Sequence, residues 1–134
     1  MGLMGQMGPM CRTDRRPIGL IGLIGPISPN KKKMTFEEYQ TEASATALYP
    51  NRLSNLEYPT LGLAGEAGEV ANIVKKIQRD HGGVTTDEVR AKLKDELGDV
   101  LWYISACADE LGLTLHEIAE FNVNKLAKRH GREA

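Results

Sequence analysis

Four acidic residues carry the chemistry this sequence can offer. Glu66 and Glu69 stand three apart on the chain, and Glu96 and Asp99 repeat the spacing. On a helix, residues at i and i+3 differ by about 60° and lie about one turn apart, so each couple presents two carboxylates on one flank. If the two helices pack antiparallel, the couples face each other as one four-carboxylate cluster. Like charges a few ångströms apart repel strongly, and a hard divalent cation is the natural remedy. Mg²⁺ takes oxygen ligands, keeps several waters and bridges carboxylates to phosphate oxygens. Either couple alone would be ordinary on a solvated helix face. Glycines set these apart: Gly62, Gly65 and Gly68 punctuate the first couple's helix, and Gly98 sits between Glu96 and Asp99. Each mid-helix glycine costs roughly 0.5–1 kcal/mol against alanine. A sequence keeps that cost where something must come close to the backbone, either a neighbouring helix or a bulky phosphate ligand.

The elements that must position these acids are all helical from Thr35 onward, with no convincing period-2 segment. A first helix runs from about Phe36 to Leu48 and stops before Pro50. A second begins near Pro59, suited to a first helical position, and reaches about Gln78. Its apolar residues Leu63, Ala67, Val70, Val74 and Ile77 make one stripe, expected to be buried. The third helix opens on a Thr85/Glu88 capping box, carries the stripe Val89, Leu93, Leu97, Val100, Ile104, Cys107 and Leu111, and ends at Gly112. The fourth opens on Thr114 and Glu117, presents Leu115, Ile118, Phe121 and Leu126, and ends at Gly131. The glycine-containing linker 80–84 joins the two long helices as an antiparallel pair. The fold class is therefore all-α, a four-helix bundle. Stripes this continuous suggest burial against a second copy, as a dimer or dimer of dimers.

Composition divides the chain in two. Residues 1–33 hold six of the 14 glycines and four of the six prolines, lack aromatics, and set six Lys or Arg against one Asp, a charge of +5. Residues 34–134 carry 11 basic and 17 acidic side chains, a charge of −6. A body this acidic is a poor candidate for binding a nucleic-acid polymer, which needs a basic face. Glycine at every third position in GLMGQMGPM and GLIGLIGPI stops far short of a collagen repeat. So many glycines cannot offset their ordering entropy, and we expect 1–33 to be a disordered or loosely attached tail. An alternative is that translation starts at Met34, with the codons of Lys31–Lys33 acting as a ribosome-binding site. Two distant cysteines, Cys11 and Cys107, make no disulfide framework and suit a reducing, cytoplasmic setting. No apolar run approaches the roughly 20 residues that span a bilayer, and the glycines and Pro26 of the 18–27 stretch argue against a signal peptide.

The doubled motif, Glu66-x-x-Glu69 and Glu96-x-x-Asp99 within GLAGEAGEVANIVKK and KDELGDVLWYISACADELG, resembles the MazG-like nucleotide pyrophosphohydrolases of the all-α NTP pyrophosphatase superfamily. The resemblance covers about residues 35–130. It implies an enzyme that splits a nucleoside triphosphate into a monophosphate and pyrophosphate, a nucleotide-pool house-cleaning role, and a homo-oligomer. It further implies Glu66, Glu69, Glu96 and Asp99 as the Mg²⁺ ligands and catalytic acids, with Mn²⁺ as a substitute. Asn122, Lys125 and Arg129 resemble the family's N-x-x-K-x-x-x-R ending, which supplies phosphate or nucleotide contacts. Lys76, on the flank of Glu69, could reach a phosphate or serve the helix dipole. Tyr103, four residues after Asp99, could stack on a base or sugar, whereas Trp102 reads as core. Tyr39, Gln40 and Thr46 resemble the YQ…TA stretch of phage-type members, which helps close the nucleotide pocket. His81, His116 and His130 read as solvated and Cys107 as core. Two other readings compete: a phosphoribosyl-ATP pyrophosphohydrolase with the same fold and acids, and a non-catalytic helical dimerisation module.

Overall fold

The computed structural model describes residues 33–131; the expectations for the tail concern positions outside them, Lys33 apart. Four α-helices follow one another: α1 Phe36–Ala45, α2 Glu57–Asp80, α3 Asp87–Glu110 and α4 Leu115–Arg129. Among the described residues there is no strand, so the all-α expectation holds. No helix among them is long and apolar enough to cross a membrane.

Local chemistry sets the boundaries, with three departures from the sequence reading. Helix α1 begins on a capping box in which Thr35 and Glu38 satisfy each other's backbone N–H groups. It ends at Ala45, not Leu48. The Thr46 hydroxyl donates to the Ala43 carbonyl (2.7 Å) and accepts from the Trp102 indole N–H (2.7 Å), which turns the chain toward α3. Helix α2 begins two residues before Pro59, because the Asn55 side chain accepts the Tyr58 N–H (3.2 Å) and a proline in the first turn loses no helical hydrogen bond. Helix α3 is capped by Thr86, not Thr85: the Thr86 hydroxyl accepts the Val89 N–H (3.3 Å). The Thr114/Glu117 box on α4 forms as expected. Gly112, at φ +65°, lets the Leu113 N–H return to the Ala108 carbonyl (2.9 Å) and closes α3.

Helices α2 and α3 form an antiparallel pair, joined by residues 81–86. Their register is visible where the Thr60 hydroxyl meets the Cys107 sulfur (3.9 Å) and where Gly62 lies under the Tyr103 ring. Helix α1 packs on α3 and α4. The core is limited: Ala47, Tyr49 and Ala106 cluster with Trp102 against them, and Ala43, Ala108, Ile77 and Leu115 are also buried.

The apolar stripes are less buried than the sequence reading expected. Val74 (43% exposed), Leu97 (53%) and Phe121 (72%) face solvent in the single chain. The packing explains this: the pairs α2–α3, α1–α3 and α1–α4 account for most helix contacts, so each long helix covers only part of its neighbour's apolar arc.

Candidate functional site

The α2–α3 pair brings three of the four acids together. One carboxylate oxygen each from Glu66, Glu96 and Asp99 lies within 4.8 Å of the others, with Glu66 and Glu96 half-buried and Asp99 exposed. Glu69 is not among these three, but its charge reaches Glu96. Desolvation first, and then the charges of Glu66, Glu69, Asp95 and Asp99, push the Glu96 carboxyl above its ordinary value. The antiparallel register produces this, since residues 66 and 99 face each other one helical turn beyond the Gly62–Tyr103 contact.

The donor set fits a hard divalent cation. Oxygen ligands at about 2.0–2.1 Å from Mg²⁺ stand roughly 3 Å apart when adjacent and roughly 4.2 Å apart when opposite. Oxygens within 4.8 Å are a small side-chain rotation from that arrangement. All three donors are carboxylates, the type such a cation prefers over nitrogen or sulfur.

Aromatic residues border the cluster. The Tyr103 ring covers Gly62, one helical turn from Glu66, and its hydroxyl is raised by desolvation and then by the charges of Tyr58, Glu66 and Asp99. Tyr39 on α1 is raised by desolvation and by Asp99, which brings α1 to the site's edge. Trp102 packs against the core and meets Tyr103 edge-on, with centroids 4.9 Å apart.

Gln40 and Thr46 belong to the architecture instead of a pocket. Gln40 donates to Asp109 (2.7 Å) and to the Leu113 carbonyl (3.0 Å), while its carbonyl oxygen accepts the Leu115 N–H (2.8 Å) at the start of α4. Thr46 is occupied by Ala43 and Trp102.

The glycines divide into two kinds. A Cβ on Gly62 would fall 2.7 Å from Tyr103 Cδ1 and closer still to Cε1 and Cζ, so this glycine serves the helix contact. A Cβ on Gly65, Gly68 or Gly98 would meet open space, so helix crossing within the chain does not account for these three.

The remaining polar candidates lie on α2 and α4. Lys76, Asn122, Lys125 and Arg129 are exposed, and among the described residues none of their side chains makes a hydrogen bond or ion pair. Helix α4, which bears three of them, packs on α1. His81, His116 and His130 are exposed as expected, His116 lying 3.5 Å from Glu37. Cys107 is half-buried.

Sequence reasoning missed a polar network at the far end of α3. The Glu110 carboxylate accepts hydrogen bonds from the Tyr49 hydroxyl (2.6 Å) and from the backbone N–H groups of Leu53 (2.9 Å) and Asn55 (2.7 Å). Arg52 donates to Asp109 (3.1 Å) and to the Ser44 hydroxyl. Desolvation raises the Glu110 carboxyl, but these hydrogen bonds and the Arg52 charge outweigh it and hold the group below its ordinary value. Burial, with the Glu110 hydrogen bond and charge, pushes the Tyr49 hydroxyl up to about 12. The available signal was two acids at a helix C-terminus, where the dipole disfavours them unless other partners hold them.

Fold and site together define a class: an all-α protein whose antiparallel helices turn carboxylates of cation-binding type toward one another. The model of the MazG nucleotide pyrophosphohydrolase domain matches residues 55–132, and the chain belongs to that family. The match contains both acidic couples and α2, α3 and α4 in full. The chain is also 47% identical over 104 residues to a protein named Gene 37 protein from Mycobacterium phage L5, across 74% of this chain and 91% of that protein. No solved structure matches.

Proposed function

We propose that the protein is a Mg²⁺-dependent nucleoside triphosphate pyrophosphohydrolase, converting a ribo- or deoxyribonucleoside triphosphate and water into the monophosphate and pyrophosphate. The observation that carries this reading is the convergence of Glu66, Glu96 and Asp99 oxygens to within 4.8 Å across the α2–α3 pair. Family membership supports it. Glu66, Glu69, Glu96 and Asp99 would hold the cation, with Mn²⁺ as a substitute for Mg²⁺. When bound, it neutralises charge on the triphosphate.

The residues of the chain do the rest. One carboxylate of the quartet accepts the proton as water attacks the α-phosphorus and the bond to the α–β bridging oxygen breaks. The Tyr103 ring offers a face for the base or sugar. Lys76, Asn122, Lys125 and Arg129 have their side chains free for phosphate. The open space over Gly65, Gly68 and Gly98 lets the phosphate chain approach the helix backbones. We read the role as house-cleaning of a nucleotide pool in the cytoplasm, with nucleoside triphosphates as the partner and neither a nucleic-acid polymer nor a membrane. The exposed apolar arcs of α2, α3 and α4 support a homo-oligomer.

Pyrophosphate release from a panel of canonical and damaged nucleotides, with phosphoribosyl-ATP included, tests the proposal in Mg²⁺ and in EDTA. The expected result is Mg²⁺-dependent release from at least one nucleoside triphosphate. Turnover of phosphoribosyl-ATP alone would overturn the substrate assignment, and no turnover of any compound would leave the helical module as the better reading.

A further inference from the structure

The Trp102 indole is held by its ring and by its N–H. The ring packs against the buried cluster of Ala47, Tyr49 and Ala106, and the N–H donates to the Thr46 hydroxyl (2.7 Å) at the end of α1. That hydroxyl is itself committed, since it donates to the Ala43 carbonyl (2.7 Å). The Tyr103 ring meets the indole edge-on, with centroids 4.9 Å apart and planes at 87°, a geometry in which aromatic pairs attract each other. A second contact limits the same ring. A Cβ on Gly62 would fall 2.7 Å from Tyr103 Cδ1 and nearer to Cε1 and Cζ, so the ring lies against bare α2 backbone. Tyr103 follows Asp99 by four residues and Gly62 precedes Glu66 by four, which places the ring between α3 and α2 about one turn from both acids. Every link from the end of α1 to this ring is a direct contact: hydroxyl to indole N–H, indole to phenol ring, phenol ring to helix backbone.

We propose that Thr46 and Trp102 are positioning residues for the nucleotide: the Thr46 hydroxyl fixes the indole, and the indole with Gly62 fixes where the Tyr103 ring stands beside the acid-bearing turns. The functional consequence rests on the pyrophosphohydrolase reading, in which that ring offers its face to the base or sugar. The placement of the ring rests on the contacts alone. Thr46 and Trp102 both act through Tyr103, so their influence falls on substrate placement more than on the chemical step.

Two measurements on full-length protein test it. In the first, the indole N–H signal of the single tryptophan and the Tyr103 ring signals, assigned by Tyr103→Phe, are followed by NMR in Thr46→Val and Thr46→Ser. Valine keeps the shape of the side chain and removes the hydroxyl, whereas serine keeps the hydroxyl; Thr46→Ala stands in should the valine variant not fold. Loss of the hydroxyl is expected to move both sets of signals, and Thr46→Ser to leave them near their wild-type positions. Tyr103 signals unmoved in a folded variant without the hydroxyl overturn the proposal. In the second, KM and kcat for the best nucleotide are measured for Thr46→Val, Trp102→Phe and Tyr103→Ala, and for each of the first two combined with Tyr103→Ala. Coupling of this kind predicts a KM rise of about two- to thirtyfold for Thr46→Val and for Trp102→Phe at nearly constant kcat. The rise should be reversed in Thr46→Ser and absent when Tyr103 is already alanine. A fall in kcat alone, or a KM effect of the same size in both backgrounds, would show Thr46 and Trp102 to be merely structural. A wild-type KM in Tyr103→Ala would overturn the functional consequence. If the wild type hydrolyses no nucleotide, the pyrophosphohydrolase reading fails and the resonances still decide whether Thr46 places the ring.

Discussion

Substituting alanine for each helical glycine of the site should separate the one that serves packing from the three that face open space. At Gly62 the new methyl would lie 2.7 Å from Tyr103 Cδ1 and nearer to two other ring atoms, where carbon pairs prefer about 3.5–4.0 Å. The ring must retreat by roughly an ångström or more, and overpacking of that kind costs about 1–3 kcal/mol. The helix gains only about 0.5–1 kcal/mol from the change, so Gly62→Ala should destabilise the protein. At Gly65, Gly68 and Gly98 the same methyl meets nothing, so each should stabilise by about 0.5–1 kcal/mol. Urea unfolding measures the difference, provided the m-value does not change between variants. Combining Gly62→Ala with Tyr103→Ala should reverse the sign of the Gly62 effect, a coupling of about 1–3 kcal/mol. A Gly62→Ala protein as stable as Gly65→Ala, with no coupling to Tyr103, would refute the packing argument. The functional half follows from the same variants: Gly65→Ala, Gly68→Ala and Gly98→Ala should gain stability yet lose turnover. Undiminished turnover would show that no ligand approaches those backbones.

Glu66→Gln, Glu96→Gln and Asp99→Asn should each cut pyrophosphate release by about 10²-fold or more with unchanged helix content by circular dichroism; a variant within tenfold of wild type would remove that residue from the cation site. Metal-stripped protein should gain about 2.7 kcal/mol of stability at Mg²⁺ or Mn²⁺ concentrations near 100 times Kd, seen as a raised melting temperature that Asp99→Asn abolishes. Persistence of the shift in Asp99→Asn would place the cation elsewhere. The Glu110 carboxyl is held below its ordinary value near 4.5, so its contribution is full above that value and is lost as pH falls through the lower, folded one. Tyr49, raised from 10 to about 12, does the opposite: its contribution is full below pH 10 and is lost as pH rises towards 12. Unfolding midpoints against pH should therefore fall less steeply on the acid side in Glu110→Gln, and less steeply on the alkaline side in Tyr49→Phe, than in wild type. Gln40→Ala should cost about 1–3 kcal/mol in urea unfolding, because the Leu115 N–H loses its acceptor and Asp109 a donor; no loss would mean that water replaces the amide.

What could be read from the chain was what depends on near neighbours. The Thr114/Glu117 box and the Gly112 terminus are decided within a few residues, and both formed where expected. The meeting of Glu66 with Glu96 and Asp99 needed only helical spacing and an antiparallel turn, so that part of the cluster was readable too. The spacing of Thr85 to Glu88 fits a capping box, but the structure uses the Thr86 hydroxyl, with the Val89 N–H as donor. Pro50 alone would let α1 run to Leu48, and only the bond from Trp102 to Thr46 shows why the helix stops short. The Glu110 network escaped altogether, since its partners lie 55 to 61 residues away along the chain. Helical spacing and the family motif group Glu69 with the other three acids, and the structure leaves its oxygens outside the closest set.

The packing and the charge of the site bear on each other. Tyr103 on Gly62 and Thr60 against Cys107 pin α2 to α3 on one side of the acids, and the buried Ile77 lies on the other. Between these pins the helices cannot splay freely to separate Glu66 from Glu96 and Asp99. Desolvation first, and then the neighbouring charges, raise the Glu96 carboxyl, and a bound cation would relieve the repulsion. Removing the charges should therefore stabilise the metal-free protein while destroying cation binding, the opposing response expected of groups retained for function at a cost to folding. A cluster that merely decorated a solvated helix face would have room to spread, and its neutralisation would change neither stability nor binding.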